Sequence, residues 1–305
     1  MTRYLPEGKL INTKDNERII SSLSLLKEAQ LNSTILESKA LMCDNQHNLI
    51  VDLGGIKGVI PRVEGAVGIK EGTVRDIAVI SRVNRPVCFV VTDFIEENGE
   101  TIAVLSRAKA QKMCIDNYVE KLIIGDVIDA RITHLESFGA FADIGCGVVS
   151  LMPIDAISVS RIEHPKERFT VGMDIKAVVR TKENSRISLS HKELLGTWQE
   201  NADMFMQGET VSGIIRSVEN YGIFVELAPN IAGLAELKDD VEVGQQASVY
   251  IKSIIPSKMK IKLIIVDSFF DEPKKTAIKY FYDGDHIDEF YYSPPECKKQ
   301  IYTRF

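Results

Sequence analysis

Two pairs of aromatic residues are the side chains in this sequence whose type and spacing point to a defined chemistry. Phe138 and Phe141 lie three residues apart in the string Phe-Gly-Ala-Phe. Tyr221 and Phe224 have the same spacing in Tyr-Gly-Ile-Phe. Strict alternation along a strand would send residues three apart to opposite faces. Glycine inside a strand often marks a bulge or a sharp bend, so a bend at Gly139 would bring both rings to one surface. Rings paired in this way on a small barrel can stack on unpaired bases.

The alternative is that these rings belong to a hydrophobic core. A single Phe-x-x-Phe favours the core, because aromatic side chains usually supply buried area. The occurrence of the same aromatic pair twice favours exposed rings that bind a ligand. A similar strand and a polar dipeptide, Glu136-Ser137 or Glu219-Asn220, precede each pair.

The elements that must hold these rings recur along the chain. A weaker copy of the two-strand pattern spans residues 35–53. Each copy ends in a short alternating strand, at residues 103–107, 186–191 and 260–264. The repeat distance is longer than that of a solenoid unit, so each copy is expected to form a separate barrel.

Taken together, the three copies resemble the S1 RNA-binding domain, an OB-type repeat named after ribosomal protein S1. The resemblance runs from about residue 35 to residue 266 and is clearest in the middle copy. Segments there follow the family's order: Gly125-Asp126-Val127, Phe138 to Phe141, Val171-Gly172 and Ser185 to Ser190. The resemblance implies a mainly β fold of tandem five-stranded antiparallel OB barrels joined by short helices.

The resemblance also implies which residues of the middle copy contact RNA. The family's binding face uses two aromatic residues on the second strand, a histidine after the third, and an aspartate and an arginine near the last. Phe138, Phe141 and Arg186 match this pattern. Lys182 stands at the aspartate position, where its cation can meet a phosphate. Pro153 stands at the histidine position and cannot donate a hydrogen bond.

The third copy matches the family at Tyr221 and Phe224, with Lys260 in place of the arginine. Glu236 takes the histidine position, where a carboxylate repels phosphate. The implied RNA-binding set is therefore Phe138, Phe141, Lys182, Arg186, Tyr221, Phe224 and Lys260.

The first copy has lost its stacking rings, because His47 and Ile50 occupy their positions. Arg62, near the histidine position, either compensates in part or is a solvated surface charge. Two hypotheses follow for the chain. The first is a non-catalytic protein that binds single-stranded RNA, most simply mRNA, in translation or RNA metabolism. The alternative is a scaffold that docks on a ribosome or an RNA-processing protein through the first barrel and the aromatic tail.

Domain boundaries follow from the repeats and the polar stretches between them. A helix is predicted from Asp15 through Ala29, and the linker residue Trp198 is expected to anchor barrel packing rather than to stack on a base. A β-hairpin is predicted from 276–281 and 286–292 around Asp283-Gly284. The predicted segments are 1–32, an N-terminal lead with a helix; 33–106, a degenerate first barrel; 107–121, a linker helix; 122–191, the second barrel; 192–206, a second linker helix; 207–267, the third barrel; and 268–305, a tail with the hairpin.

Composition is compatible with several compact domains. The chain has 305 residues, 45% of them hydrophobic, and a net charge of −6. Nucleic-acid binders usually have a basic balance, so any RNA contact must rest on local cations and should be weak and salt-sensitive. Cations are frequent between Arg131 and Lys192.

Other function classes receive little support from the sequence. No apolar run reaches the length of a membrane span, and the N-terminus has no apolar signal core. Five scattered cysteines indicate reduced thiols in a cytoplasmic protein. The five histidines have no metal-ligand spacing, and no nucleophile motif occurs. We therefore expect no enzyme activity, no metal and no cofactor.

Overall fold

Three five-stranded barrels contain most of the strands in the described part of the chain. The structure is a computed structural model that describes residues 4–97, 99–183, 186–271 and 278–305. Around each barrel the strand order is first, second, third, fifth, fourth. The mainly β fold of tandem OB-type barrels predicted from the sequence is therefore confirmed.

The first barrel begins after two helices, α1 (Lys14–Ile20) and α2 (Leu23–Leu31). The single helix predicted here is wrong, because the chain leaves helical hydrogen bonding at Ser21 and extends at Ser22. A short helix, α3 (Ile77–Ile80), lies between the third and fourth strands. The strands are β1 (Leu36–Cys43), β2 (Leu49–Asp52), β3 (Lys57–Ile60), β4 (Pro86–Glu97) and β5 (Glu100–Ser106).

The second barrel follows α4 (Arg107–Asn117), whose first turn is capped by the Ser106 hydroxyl. Its first strand buries Ile128, Ala130 and Ile132 in alternation, which is the period-two pattern of a strand with one face inside. The strands are β6 (Val127–Glu136), β7 (Gly139–Asp143), β8 (Val149–Pro153), β9 (Asp174–Glu183) and β10 (Arg186–Ser190).

The third barrel follows α5 (Trp198–Ala202) and has the most regular alternation. Its last strand turns Ile261, Leu263 and Ile265 inward and places lysines 260 and 262 outside. Trp198 is buried in the core of this barrel, so the packing role predicted for it is correct. The strands are β11 (Thr210–Glu219), β12 (Gly222–Ala228), β13 (Ile231–Ala235), β14 (Gln246–Ile255) and β15 (Lys260–Phe269).

The tail forms a different hairpin from the predicted one. β16 (Glu289–Tyr291) pairs with β17 (Tyr302–Arg304) in antiparallel register. Residues 276 and 277 of the predicted first strand lie outside the described residues, and 278–281 are not in a strand. The Asp283-Gly284 turn is overridden by contacts with the second barrel, since the His286 ring bonds to the Asp126 carboxylate at 2.8 Å.

The described residues form two compact units. One contains residues up to 122 with 129–131 and 142–150, and the other contains 123–128, 132–141 and 151–305. The second barrel contributes strands to both units. No described helix is long and apolar enough to cross a bilayer.

Candidate nucleic-acid interface

The aromatic pair of the second barrel lies where β6 turns into β7. Phe138 is the last residue of the turn and is 56% exposed, while Phe141 is half-buried on β7. The two ring centroids are 6.0 Å apart and the ring planes meet at 89°. This edge-to-face geometry is one that aromatic pairs prefer, and it leaves an outer ring face open to a ligand.

Gly139 brings the two rings together through a close backbone approach. Phe138 lies in the turn that precedes β7, while Phe141 lies on β7 itself. A Cβ atom at Gly139 would lie 2.5 Å from the carbonyl oxygen of Met152. Only glycine lets β7 start this close to the end of β8.

The third barrel repeats this arrangement. Tyr221 is the last turn residue before β12 and is 65% exposed. Its ring centroid is 6.2 Å from that of Phe224, at 88°. A Cβ atom at Gly222 would lie 2.6 Å from the carbonyl oxygen of Ala235. The repeated sequence pattern therefore corresponds to a repeated geometry.

His134 extends the ring surface of the second barrel and was missed by the sequence analysis. Its ring lies on β6, 6.3 Å from the ring of Phe141 at 34°. Its Nε2 atom is 2.6 Å from a carboxylate oxygen of Glu136. Knowledge of how β6 pairs with β7 could have identified His134, whereas the spacing of Phe138 and Phe141 alone could not.

The cations predicted for the second barrel lie on its last two strands, β9 and β10. Lys182 is on β9 opposite Ile187, and Arg186 is the exposed first residue of β10. β8 separates β10 from the ring-bearing strand β7. Pro153, at the position of the family's histidine, ends β8.

The third barrel places a lysine on the same row as its rings. Phe224 is registered with Leu234, and Leu234 with Lys262. Lys262 is exposed, and the predicted Lys260 lies two residues before it on the same outer face. The sequence analysis missed Lys262, because only the register reveals which lysine shares a row with a ring. Glu236, the carboxylate expected to repel phosphate, is 3.2 Å from the Lys252 ammonium.

The first barrel has His47 and Ile50 at the positions of the aromatic pair, and its Arg62 is ion-paired. The His47 ring nitrogen is 3.3 Å from a carboxylate oxygen of Asp76. Arg62 binds the same carboxylate with two nitrogens, at 2.7 and 3.1 Å. These hydrogen bonds from Arg62 lower the pKa of Asp76. Arg62 is therefore an exposed charge that is paired with Asp76.

Two buried titratable groups of the second barrel have pKa values shifted by burial. Burial lowers the pKa of His191 to about 4, and its Nδ1–H donates to the Ile157 carbonyl at 3.2 Å. Burial raises the pKa of Asp143 to about 7. Among the described residues, no cluster of histidine, cysteine and carboxylate side chains is arranged to hold a metal ion.

Comparison with known proteins agrees with this geometry. Residues 121–192 match the model of the S1 RNA binding domain. The small ribosomal subunit protein bS1 of Staphylococcus aureus strain COL is 30% identical over 262 residues, covering 80% of this chain and 64% of that protein. The bS1 of Leuconostoc lactis is 29% identical over 231 residues, covering 70% of this chain and 52% of that protein.

The solved structures include a multidomain protein with nucleic acid binding domains from Streptococcus pneumoniae, with 13% identity and a TM-score of 0.25. The match covers 79% of this chain and 76% of the solved chain. The chain spans about half to two thirds of the length of the bS1 proteins named above. Residues 121–192 are therefore an S1 RNA-binding domain, and the chain is homologous to the ribosomal bS1 proteins over most of its own length.

Proposed function

We propose that this protein binds single-stranded RNA without catalysing a reaction and acts in translation or RNA metabolism. The observation that carries the proposal is an aromatic pair at equivalent positions in two barrels, with one ring exposed, the other half-buried, and ring centroids 6.0 Å apart in the second barrel and 6.2 Å apart in the third. Solvent-facing ring pairs on OB barrels are suited to stacking on bases of any sequence.

In this mechanism the bases stack and the backbone is held by cations. One strand of RNA would lie over Phe138 and Phe141, and another stretch over Tyr221 and Phe224. Phosphates would be met by Lys182, Arg186 and Lys260, with Lys262 a further candidate on the third barrel. Because the chain is acidic overall, these local contacts should give modest affinity that falls with salt.

The relatives suggest where such binding would be used. They are proteins of the small ribosomal subunit, so mRNA at a cytoplasmic ribosome is the partner that we propose. The first barrel, whose cation is already paired, is the part least suited to RNA and best suited to docking on a ribosome or an RNA-processing protein.

The proposal is tested by titrating a fluorescent oligouridine into the full chain and reading anisotropy. Phe138→Ala combined with Phe141→Ala should weaken binding roughly 5- to 150-fold for each stacked base lost, since a stacked base contributes about 1–3 kcal/mol. Phe270→Ala is the control, because this ring is 66% exposed and lies outside both pairs. Equal affinity of the double variant and the control would refute the proposal.

A further inference from the structure

A groove runs beside the aromatic pair of the third barrel, and its opposite wall comes from the second barrel. The third barrel contributes Tyr221 and Phe224 to the lining. The second barrel contributes part of the loop between β8 and β9. This segment, residues 154–173, is called the β8–β9 loop. Residues 159–164, 166 and 167 of the loop line the groove. The groove encloses about 1190 Å³, above the 300–1,000 Å³ range of small-molecule sites, so it suits an extended occupant.

Buried ion pairs fix the β8–β9 loop against the third barrel. The Arg216 guanidinium binds the Glu226 carboxylate at 2.9 and 3.2 Å and also binds Glu167 of the loop. Arg168 of the loop binds the same Glu226 carboxylate at 2.6 Å. Burial opposes the charge on Arg216, but the two carboxylates more than offset it and raise its pKa. Arg168 and Arg216 thus share the buried Glu226 carboxylate, which supplies each guanidinium with an opposite charge.

A buried amide makes a second attachment. The Asn230 side chain accepts from the Val159 N–H at 2.9 Å and donates to the carbonyls of Lys192 and Gly196 at 2.8 and 2.9 Å. The neighbouring Pro229 carbonyl accepts from the Ser160 N–H at 3.1 Å. The part of the loop that lines the groove is therefore attached to the third barrel at residues 159–160 and again at residues 167–168.

The loop presents two cations to the groove. Arg161 and Lys166 are exposed, and within the described ranges neither forms an ion pair. Lys166 is oriented by a short 3-10 turn, where its N–H donates to the His164 ring at 3.1 Å. Three carboxylates, those of Glu163, Glu167 and Glu219, also line the groove, and Glu167 is paired with Arg216. They oppose a polyanion and should keep its binding weak.

We propose that the second and third barrels bind one single-stranded RNA jointly in this groove. Tyr221 and Phe224 stack on its bases, while Arg161 and Lys166 of the β8–β9 loop contact its phosphates. The inference rests on the RNA binding proposed above and adds two residues that neither the aromatic motif nor its cross-strand neighbours supply. The third barrel's site is then complete only when the second barrel stands beside it.

The test uses the full chain and a fluorescein-labelled oligouridine of about 16 nucleotides, the upper end of what one OB barrel covers. Arg161→Gln with Lys166→Gln should weaken binding by roughly tenfold at low salt. The plot of log affinity against log salt should become shallower by about 1.4, from two phosphate contacts at about 0.7 each. The control is Lys298→Gln with Lys299→Gln, which removes the same charge from exposed positions in the tail.

The two proposals fail in different ways. If the unaltered chain does not bind the oligouridine, the proposed function itself is wrong. If it binds, and the loop variant matches the tail control in affinity and salt slope, only the joint groove is wrong. Both altered side chains are exposed, so a fold defect is not expected, and a matching thermal melt checks this.

A double-mutant cycle tests whether loop and rings hold the same strand. The loop substitutions are repeated in a chain that carries Tyr221→Ala and Phe224→Ala. If one RNA contacts both walls, the loop substitutions should cost at least threefold less affinity in this background than in the unaltered chain. Equal losses in the two backgrounds would mean that the loop cations act elsewhere, which overturns the joint groove.

Discussion

At the scale of single residues, the site depends on rings that touch each other while remaining exposed. Phe138 and Tyr221 are both more than half exposed, although an isolated exposed aromatic ring gains little from its surroundings. Each is supported edge-to-face by a half-buried partner, Phe141 or Phe224. That partner restricts the motion of the exposed ring. Stacking of a base on the ring therefore costs less side-chain conformational entropy.

His134 should contribute to the same surface. His134→Ala is expected to weaken oligouridine binding about three- to tenfold, less than the loss of a phenylalanine, because the imidazole is smaller and is bonded to Glu136. His134→Phe should restore affinity. Anisotropy titrations of both variants check this, and no change in either would remove His134 from the interface.

His191 should make stability depend on pH. Its pKa is lowered to about 4 by burial, whereas an unfolded histidine titrates near 6.5. The unfolded chain therefore binds the proton first, so the free energy of unfolding falls as pH falls from about 6.5 to about 4. The loss for this one group is about 3 kcal/mol at most.

Denaturant unfolding of the unaltered chain and of His191→Gln over this pH range isolates the effect. Other titrating groups, including Asp143, are common to both proteins and cancel in the difference. The variant should lose less stability than the unaltered chain toward pH 4. Parallel pH profiles would show that burial does not lower the pKa of the His191 imidazole in the folded protein.

At the scale of elements, the start of the second strand in each barrel decides where the rings lie. Gly139→Ala should cost about 1–3 kcal/mol of unfolding free energy, because its Cβ would press on the Met152 carbonyl, and it should also weaken RNA binding. Gly172→Ala is the matched control. A Cβ atom added at Gly172 would meet no atom within 4 Å. The only cost expected for alanine there comes from the positive φ of this residue, about 1 kcal/mol.

Urea unfolding and anisotropy together check the prediction. Gly172→Ala should leave affinity for oligouridine unchanged, since it lies away from the rings. If Gly139→Ala were no more damaging than Gly172→Ala in both measurements, the close approach of β7 to β8 would not be what holds the rings.

The sequence predicted these elements unevenly, and the reason is the range of the contacts involved. The ring pairs, the barrels and Trp198 as an anchor could be predicted, because repetition and period-two burial are local signals. The turn position of Phe138 could not be predicted, since a glycine can mark a bulge, a bend or a close backbone approach.

The other omissions depend on tertiary contacts. His134 and Lys262 join the rings only through strand register. The tail hairpin was misplaced because His286 bonds to Asp126, 160 residues away, instead of closing a local turn. The joint groove could not be predicted, as its loop cations meet the third barrel's rings only after both barrels have formed.

At the scale of the whole molecule, buried charge joins the β8–β9 loop to the third barrel. Glu226→Gln should lower the unfolding free energy by about 3–5 kcal/mol, because it leaves the buried Arg168 guanidinium without a carboxylate and leaves Arg216 with Glu167 alone. Glu236→Gln is the control, since this exposed carboxylate pairs only with Lys252 and should cost under about 1 kcal/mol.

Urea denaturation followed by tryptophan fluorescence suits this comparison, because Trp198 lies in the core of the third barrel. The Glu226 variant should unfold at clearly lower urea than the control. Coincident unfolding curves would indicate that the ion pairs of Glu226 contribute little to holding the loop.

The central claim is that RNA lies on the exposed ring pairs, and cross-linking tests it most directly. The full chain is irradiated with a single-stranded RNA that carries 4-thiouridine, and the attached residues are identified by mass spectrometry. The account predicts attachment at or beside Phe138, Phe141, Tyr221 and Phe224. Attachment confined to the first barrel or to the tail, with both ring pairs untouched, would contradict it.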